Sequence, residues 1–209
     1  PALGTDLTVI TPSDVAWSNS NTRFSRYLPK LFDFSPQDKA FPQMAVFQGK
    51  LFVARNTCEN YTCPNLSADD CACPVANRYS QLWKCAPATV SSPLPATATA
   101  CDPGDWTLVA NNGSGQTSMG DGNNRTMSLL VTNGAYLYVG FDNPTTGVEI
   151  WRTNITNPNT TADFSQIGVD GLGDASNNLQ IFDGMSSLYS GLNYLYLTTG
   201  KSGGIVKVY

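Results

Sequence analysis

One stretch of this sequence recurs, and recurrence at a fixed period constrains a fold more than any composition does. GAYLYVGFDNPTTGVEIWRT, Gly134–Thr153, reads as two short apolar strands joined by an Asn-Pro-Thr-Thr-Gly turn. An earlier stretch, MAVFQGKLFVAR with QLWKC and DWTLV after it, sets Gly49, Phe52 and Trp83 where Gly134, Tyr138 and Trp151 stand. A later one, SSLYSGLNYLYLTTG with GGIVKVY, keeps Gly191 and Tyr196 in register and puts Val206, Lys207 and Val208 in place of Ile150, Trp151 and Arg152. The linkers repeat as well, GDGNN at 120–124 and GDASNN at 173–178. A unit of this size cannot bury its apolar face alone, so such units stack.

Tyr138 and Tyr196 lie 58 positions apart, the length of a four-stranded unit with generous loops. Phe52 and Tyr138 lie 86 apart, and the surplus is a cysteine-rich insertion over 54–80. Short strands with glycine turns and an aromatic in each point to an all-β fold, a β-propeller-like stack of four-stranded blades. One domain over 1–209 is expected. Three copies, with DLTVIT and DVAWS in the first 40 residues offering part of another, fall short of a ring that takes about four to eight blades. With a strand pattern cut at Tyr209, the stack is expected to be incomplete in this chain and to belong to a longer polypeptide. A start at Pro1 reads as a processed or trimmed end.

Composition removes several kinds of chemistry. Histidine is absent, which takes away Ser-His-Asp and Cys-His catalysis and the commonest metal ligand. Twelve Lys and Arg without a basic run, at a net charge of −4, argue against a nucleic-acid partner. No apolar run reaches transmembrane length.

Six cysteines, Cys58, Cys63, Cys71, Cys73, Cys85 and Cys101, are spaced C-x4-C-x7-C-x-C-x11-C-x15-C, without the paired C-x-x-C of a zinc ribbon. They read as three disulfides in an oxidising compartment. Cys85 and Cys101 flank a loop and would staple its base, leaving Cys71 and Cys73 each to reach Cys58 or Cys63. An insertion poor in apolar residues is held by cross-links instead of a core. Sequons at Asn60, Asn65, Asn112, Asn124, Asn154 and Asn159 fit a secreted glycoprotein.

The copies resemble secreted β-propeller proteins, mostly uncharacterised bacterial surface or exported proteins, whose blades read G-x-L-Y-V-G … G-x-E-[VI]-W-R … W-x-x-[VI]. Gly134, Tyr138, Gly140, Gly147, Glu149, Trp151 and Arg152 carry the likeness, with Gly49, Phe52, Trp83 and Trp106. The layout is also distantly similar to the Asp-box repeats of sialidases, S-x-D-x-G-x-T-W. The nearest stretch, DPGDWT from Asp102 to Thr107, departs from the box, and the arginines do not map onto a sialidase triad. The resemblance implies a fold and leaves the function open, because propellers host unrelated roles.

The linkers offer Asp121, Asn123, Asp174 and Asn177 as calcium candidates, since short loops of carboxylate and amide oxygens suit that ion; Asx-turn chemistry is the competing account. No other cofactor is expected. Trp83, Trp106 and Trp151 could form a sugar platform, though their periodicity places them in the core. Tyr61 and Tyr79, in the insertion, are the ligand candidates. Glu149 and Arg152 are expected to form a solvated or inter-strand ion pair of small worth. The function expected is non-enzymatic: an extracellular or cell-surface structural or adhesive protein that binds a protein partner or self-assembles. A carbohydrate-binding module or a fragment of a sialidase-like glycoside hydrolase are the alternatives.

Overall fold

Two hairpins turn on a pair of residues in left-handed backbone. Gln48 and Gly49 have φ of 50° and 73°, Ser190 and Gly191 of 50° and 77°. Positive φ at both central positions matches the right-handed twist of the strands it joins, and glycine takes the second position without steric cost. The computed structural model describes residues 38–40, 43–58, 78–86, 106–112 and 118–209. Strands β1 (Asp38–Ala40), β2 (Met44–Phe47), β3 (Lys50–Cys58), β4 (Arg78–Cys85) and β5 (Trp106–Asn111) make a first antiparallel sheet. The second holds β6 (Thr126–Thr132), β7 (Leu137–Asp142), β8 (Glu149–Thr153) and β9 (Phe164–Ile167). The third holds β10 (Gln180–Tyr189), β11 (Leu192–Gly200) and β12 (Lys207–Val208). Helix among the described residues is limited to short 3-10 turns, Thr161–Asp163 and Asp170–Gly173.

The three sheets pair in the same register. Val53 faces Trp83 and Phe52 faces Lys84; Val139 faces Trp151 and Tyr138 faces Arg152. On the other side, Phe52, Tyr138 and Tyr196 face Ala45, Val131 and Met185. A bulge follows Met127 in β6 and Ile181 in β10, at matching places. Phe52, Tyr138 and Tyr196 are therefore equivalent by pairing.

The outer strand of the third sheet differs from the expectation. Leu197, at the place of Val139, exchanges both main-chain hydrogen bonds with Tyr209, at 3.1 and 2.9 Å. Tyr209 thus stands where Trp151 does, and Lys207 where Glu149 does. The expected match of Val206, Lys207 and Val208 to Ile150, Trp151 and Arg152 is displaced by two. A slip of two keeps every side chain on its own face, so alternation in the sequence cannot detect it.

The sheets pack face on face. Phe47, Phe52, Ala54 and Leu82 of the first meet Met127, Leu130, Val139 and Phe141 of the second in one core. Leu129, Val148 and Ile150 on the reverse of the second meet Ile181 and Leu197 of the third in another. Strand β6 lies against β2, β3 and β4, and β10 against β6 and β7. The described residues form stacked sheets and no closed ring. Pairing also reaches into the span expected as insertion: Ala54 to Cys58 finish β3 and Arg78 to Ser80 begin β4. Ala54 and Asn56 are buried at the junction of the first two sheets, which extends the strand past Val53. Residues 59–77 lie outside the described residues.

Candidate interaction surface

Polar side chains fasten each sheet to the next. Asn56 donates its amide to the Met127 carbonyl at 3.1 Å and accepts the Met127 N–H at 2.9 Å, so its side chain pairs as a strand would. Asp142, at the same place in β7, accepts the N–H of Ile181 at 2.8 Å. The Ser80 hydroxyl donates to the Asn124 carbonyl. The Asn112 amide donates to the Met119 and Asn124 carbonyls and accepts the Met119 N–H. Asn56, Ser80, Asn112 and Asn124 are buried and Asp142 partly so, and all are bonded, as a buried polar group must be to stay cheap.

Glu149 is buried at the centre of this network. Its Oε2 accepts the Trp151 indole N–H at 3.0 Å and the Asn124 amide at 2.8 Å. The first sheet repeats the indole bond, Trp83 to Gln81 at 3.0 Å. Arg152 does not pair with Glu149 as expected. Its guanidinium lies 4.3 Å from the centre of the Tyr136 ring, a cation–π contact on the opposite side of the strand from the buried carboxylate. Trp106 is buried, and Trp83 and Trp151 half-buried, in keeping with core places.

Lys84, at the strand place of Arg152, is buried with its ammonium held by three oxygens of one loop. It donates to Asn157 Oδ1 at 3.1 Å, to the Pro158 carbonyl at 3.1 Å and to Asn159 Oδ1. Burial first, then the charge of Lys50, lowers its pKa, against a smaller upward pull from Asp163. The lysine anchors the first sheet to the loop between β8 and β9.

The linker loops are closed on themselves. Asp121 Oδ1 accepts the Asn123 N–H at 2.7 Å and the Asn123 amide at 2.9 Å, and Oδ2 accepts the Thr146 hydroxyl at 3.0 Å. Burial pushes this carboxyl up, but hydrogen bonds led by the Asn123 N–H outweigh it and leave the pKa lowered. Asp174 accepts the Asn177 amide and pairs with Lys207, whose hydrogen bond is the chief cause of its lowered pKa. Among the described residues no three His, Cys, Asp or Glu side chains gather as a metal site would.

Of the other sequence candidates, Tyr79 is half-buried in β4, opposite Thr57, and Tyr61 lies outside the described residues. Cys85 is buried and disulfide-bonded, and Cys58 ends β3; Cys63, Cys71, Cys73 and Cys101 lie outside the described residues. Asn60 and Asn65 also lie outside. Asn154 and Asn159 are exposed, whereas Asn112 and Asn124 are buried with their amide nitrogens bonded. A glycan on either of those two would have to break the network just described.

The surface that sequence reasoning missed is the reverse of the third sheet. In the second sheet the equivalent face is covered: Tyr138 is 3% exposed, Val148 0% and Ile150 1%. Their counterparts in the third, Tyr196, Val206 and Val208, are 46%, 56% and 73% exposed. Met185, Tyr189 and Leu192 share this face and are exposed too. Tyr194 and Tyr196 lie with their rings nearly parallel, 14° apart, at 6.1 Å between centroids. The alternation of LNYLYLT held the signal, but it looks the same whether or not a further layer covers it.

No helix among the described residues is long and apolar enough to cross a membrane. Compared with known proteins, the chain matches no family model, no curated protein and no solved structure.

Proposed function

We propose that this chain is an extracellular or cell-surface protein that works by binding and assembly and performs no chemistry of its own. Its sheets serve as propeller-like blades, a reading supported by their common register and by the repeated fastening through Asn56 and Asp142. The cysteine-rich insertion is held by disulfides, with Cys85 bonded to Cys101 across the base of a loop. The single observation that carries the reading is the open reverse of the third sheet, apolar at positions that the second sheet buries. A secreted protein keeps such a face only where contact with another molecule covers it.

Sedimentation velocity of the purified chain, with binding assays on immobilised glycans, tests this. Self-association or retention that depends on the third sheet is expected. A chain that stays monomeric and is retained by nothing would overturn it, and turnover of a fluorogenic glycoside would overturn the absence of chemistry. A carbohydrate-binding role is the second reading, favoured by the parallel Tyr194 and Tyr196 rings, whose faces suit sugar stacking.

A further inference from the structure

We infer that the open face of the third sheet pairs with the same face of a second copy of this chain, about a two-fold axis. The inference rests on the binding and assembly reading and names its partner. Three observations choose this occupant over another sheet continuing the stack.

The first is steric. Where the second sheet receives the third, Gly140 leaves room for Ile181, and a Cβ there would come within 2.7 Å of the Ile181 Cδ1. Thr198 holds the Gly140 position in the third sheet, and Asp183 holds that of Leu129. The Thr198 hydroxyl donates to the Asp183 carbonyl at 3.2 Å, so the centre of the face is polar and filled. A sheet arriving with an isoleucine at this point, as the third sheet does on the second, would meet a side chain and a carboxylate in place of a gap.

The second is complementarity. The face carries phenol groups on Tyr189, Tyr194 and Tyr196 and a carboxylate acceptor on Asp183, all on one side of the sheet. A face with both donors and acceptors can satisfy its own copy, since a two-fold axis brings each residue opposite a different one. Lys207, paired with Thr199, lies on the other side of the sheet and is engaged there by Asp174, so the open face carries phenols and apolar side chains around the one carboxylate of Asp183.

The third is size. The exposed surface of Met185, Tyr189, Leu192, Tyr194, Tyr196 and Val208 amounts in all to roughly 700 Å² per copy, close to what one partner contributes to a standard interface. Two twisted sheets pack face to face at about 10 Å with their strands near parallel, so the pairing needs no new backbone geometry.

Sedimentation velocity of the 209-residue chain over a wide concentration range, under non-reducing conditions, is the test. A monomer–dimer equilibrium is expected, and M185K and Y196E should each weaken it at least about tenfold. Both sites are exposed in the single copy, so the variants keep the far-ultraviolet circular dichroism and melting temperature of the parent monomer. M44K, on an exposed residue of the first sheet, leaves the dimer intact. A dimer that M185K and Y196E do not weaken overturns the pairing through this face. A chain that stays monomeric yet is retained on immobilised glycans through Tyr196 overturns the pairing and leaves the broader reading standing. A chain that is monomeric and retained by nothing overturns both.

Discussion

Asp142 stands one sheet on from Asn56 and does the same thing: each accepts, through its side-chain oxygen, the main-chain N–H of the residue that precedes the bulge in the next sheet. The bonds are 2.8 Å to Ile181 and 2.9 Å to Met127. The two differ in charge. Burial raises the pKa of Asp142, against the downward pull of the Ile181 N–H and of Ser128. The folded protein therefore binds this proton more tightly than the unfolded chain, and stability is lost as pH rises from the ordinary carboxylate range through the raised value. Asp142→Asn, which gives the second sheet the residue the first already uses, should stabilise the protein at neutral pH and lose that advantage in acid. Asp142→Ala leaves the Ile181 N–H unpaired and should cost about 1–3 kcal/mol. Urea denaturation at several pH values checks both.

Lys84 has the opposite sign. Burial and Lys50 lower its pKa, so the unfolded chain holds more protons between the lowered value and the ordinary lysine range. Stability should rise with pH across that alkaline window, and Lys84→Met should remove the rise. The same substitution strands the oxygens of Asn157, Pro158 and Asn159 without their donor, at a cost on the order of 1–3 kcal/mol near neutral pH. Thermal melts from neutral to alkaline pH would show both effects.

Gly147 approaches the backbone of the Asp170–Gly173 turn closely. Its φ is 90°, and a Cβ would fall 2.5 Å from the Gly171 Cα, where no flexible side chain can yield. Gly147→Ala should destabilise by about 2–4 kcal/mol, read from the midpoint of chemical denaturation.

Expression in a eukaryotic secretory host should place glycans on Asn154 or Asn159 and leave Asn112 and Asn124 bare. Glycopeptide mass spectrometry decides, and a glycan on folded protein at Asn124 would contradict the buried bond from its amide to Glu149.

Calcium should matter little to the linkers. The Asp121 and Asp174 carboxylates already take donors from Asn123, Thr146, Asn177 and Lys207. Adding calcium or a chelator should leave the melting temperature unchanged to within about a degree, and a larger rise with calcium would assign the ion to these loops.

Much of this architecture was legible in the residues. Gly49 and Gly191 mark hairpins, and Phe52, Tyr138 and Tyr196 keep one register, because turn chemistry and alternation are local properties that a sequence writes down. The last strand was misplaced because a two-residue slip preserves alternation. The burial of Lys84 and Glu149 could not be read, since nothing near them in sequence announces a loop of carbonyls or an indole and an amide folded over them. The open face was invisible for a related reason: Tyr138 and Tyr196 are the same kind of residue in the same kind of strand, and only the presence of a neighbour separates a core from a surface.

The polar fastenings also set a direction for biosynthesis. Asn56 and Asp142 are acceptors on the earlier sheet, and their donors, Met127 and Ile181, are translated later. A nascent chain halted after β9 would carry a finished sheet whose Asp142 and Ile150 still meet water. Each stage of synthesis passes through such an unsheltered intermediate, which only the next stretch of main chain can close.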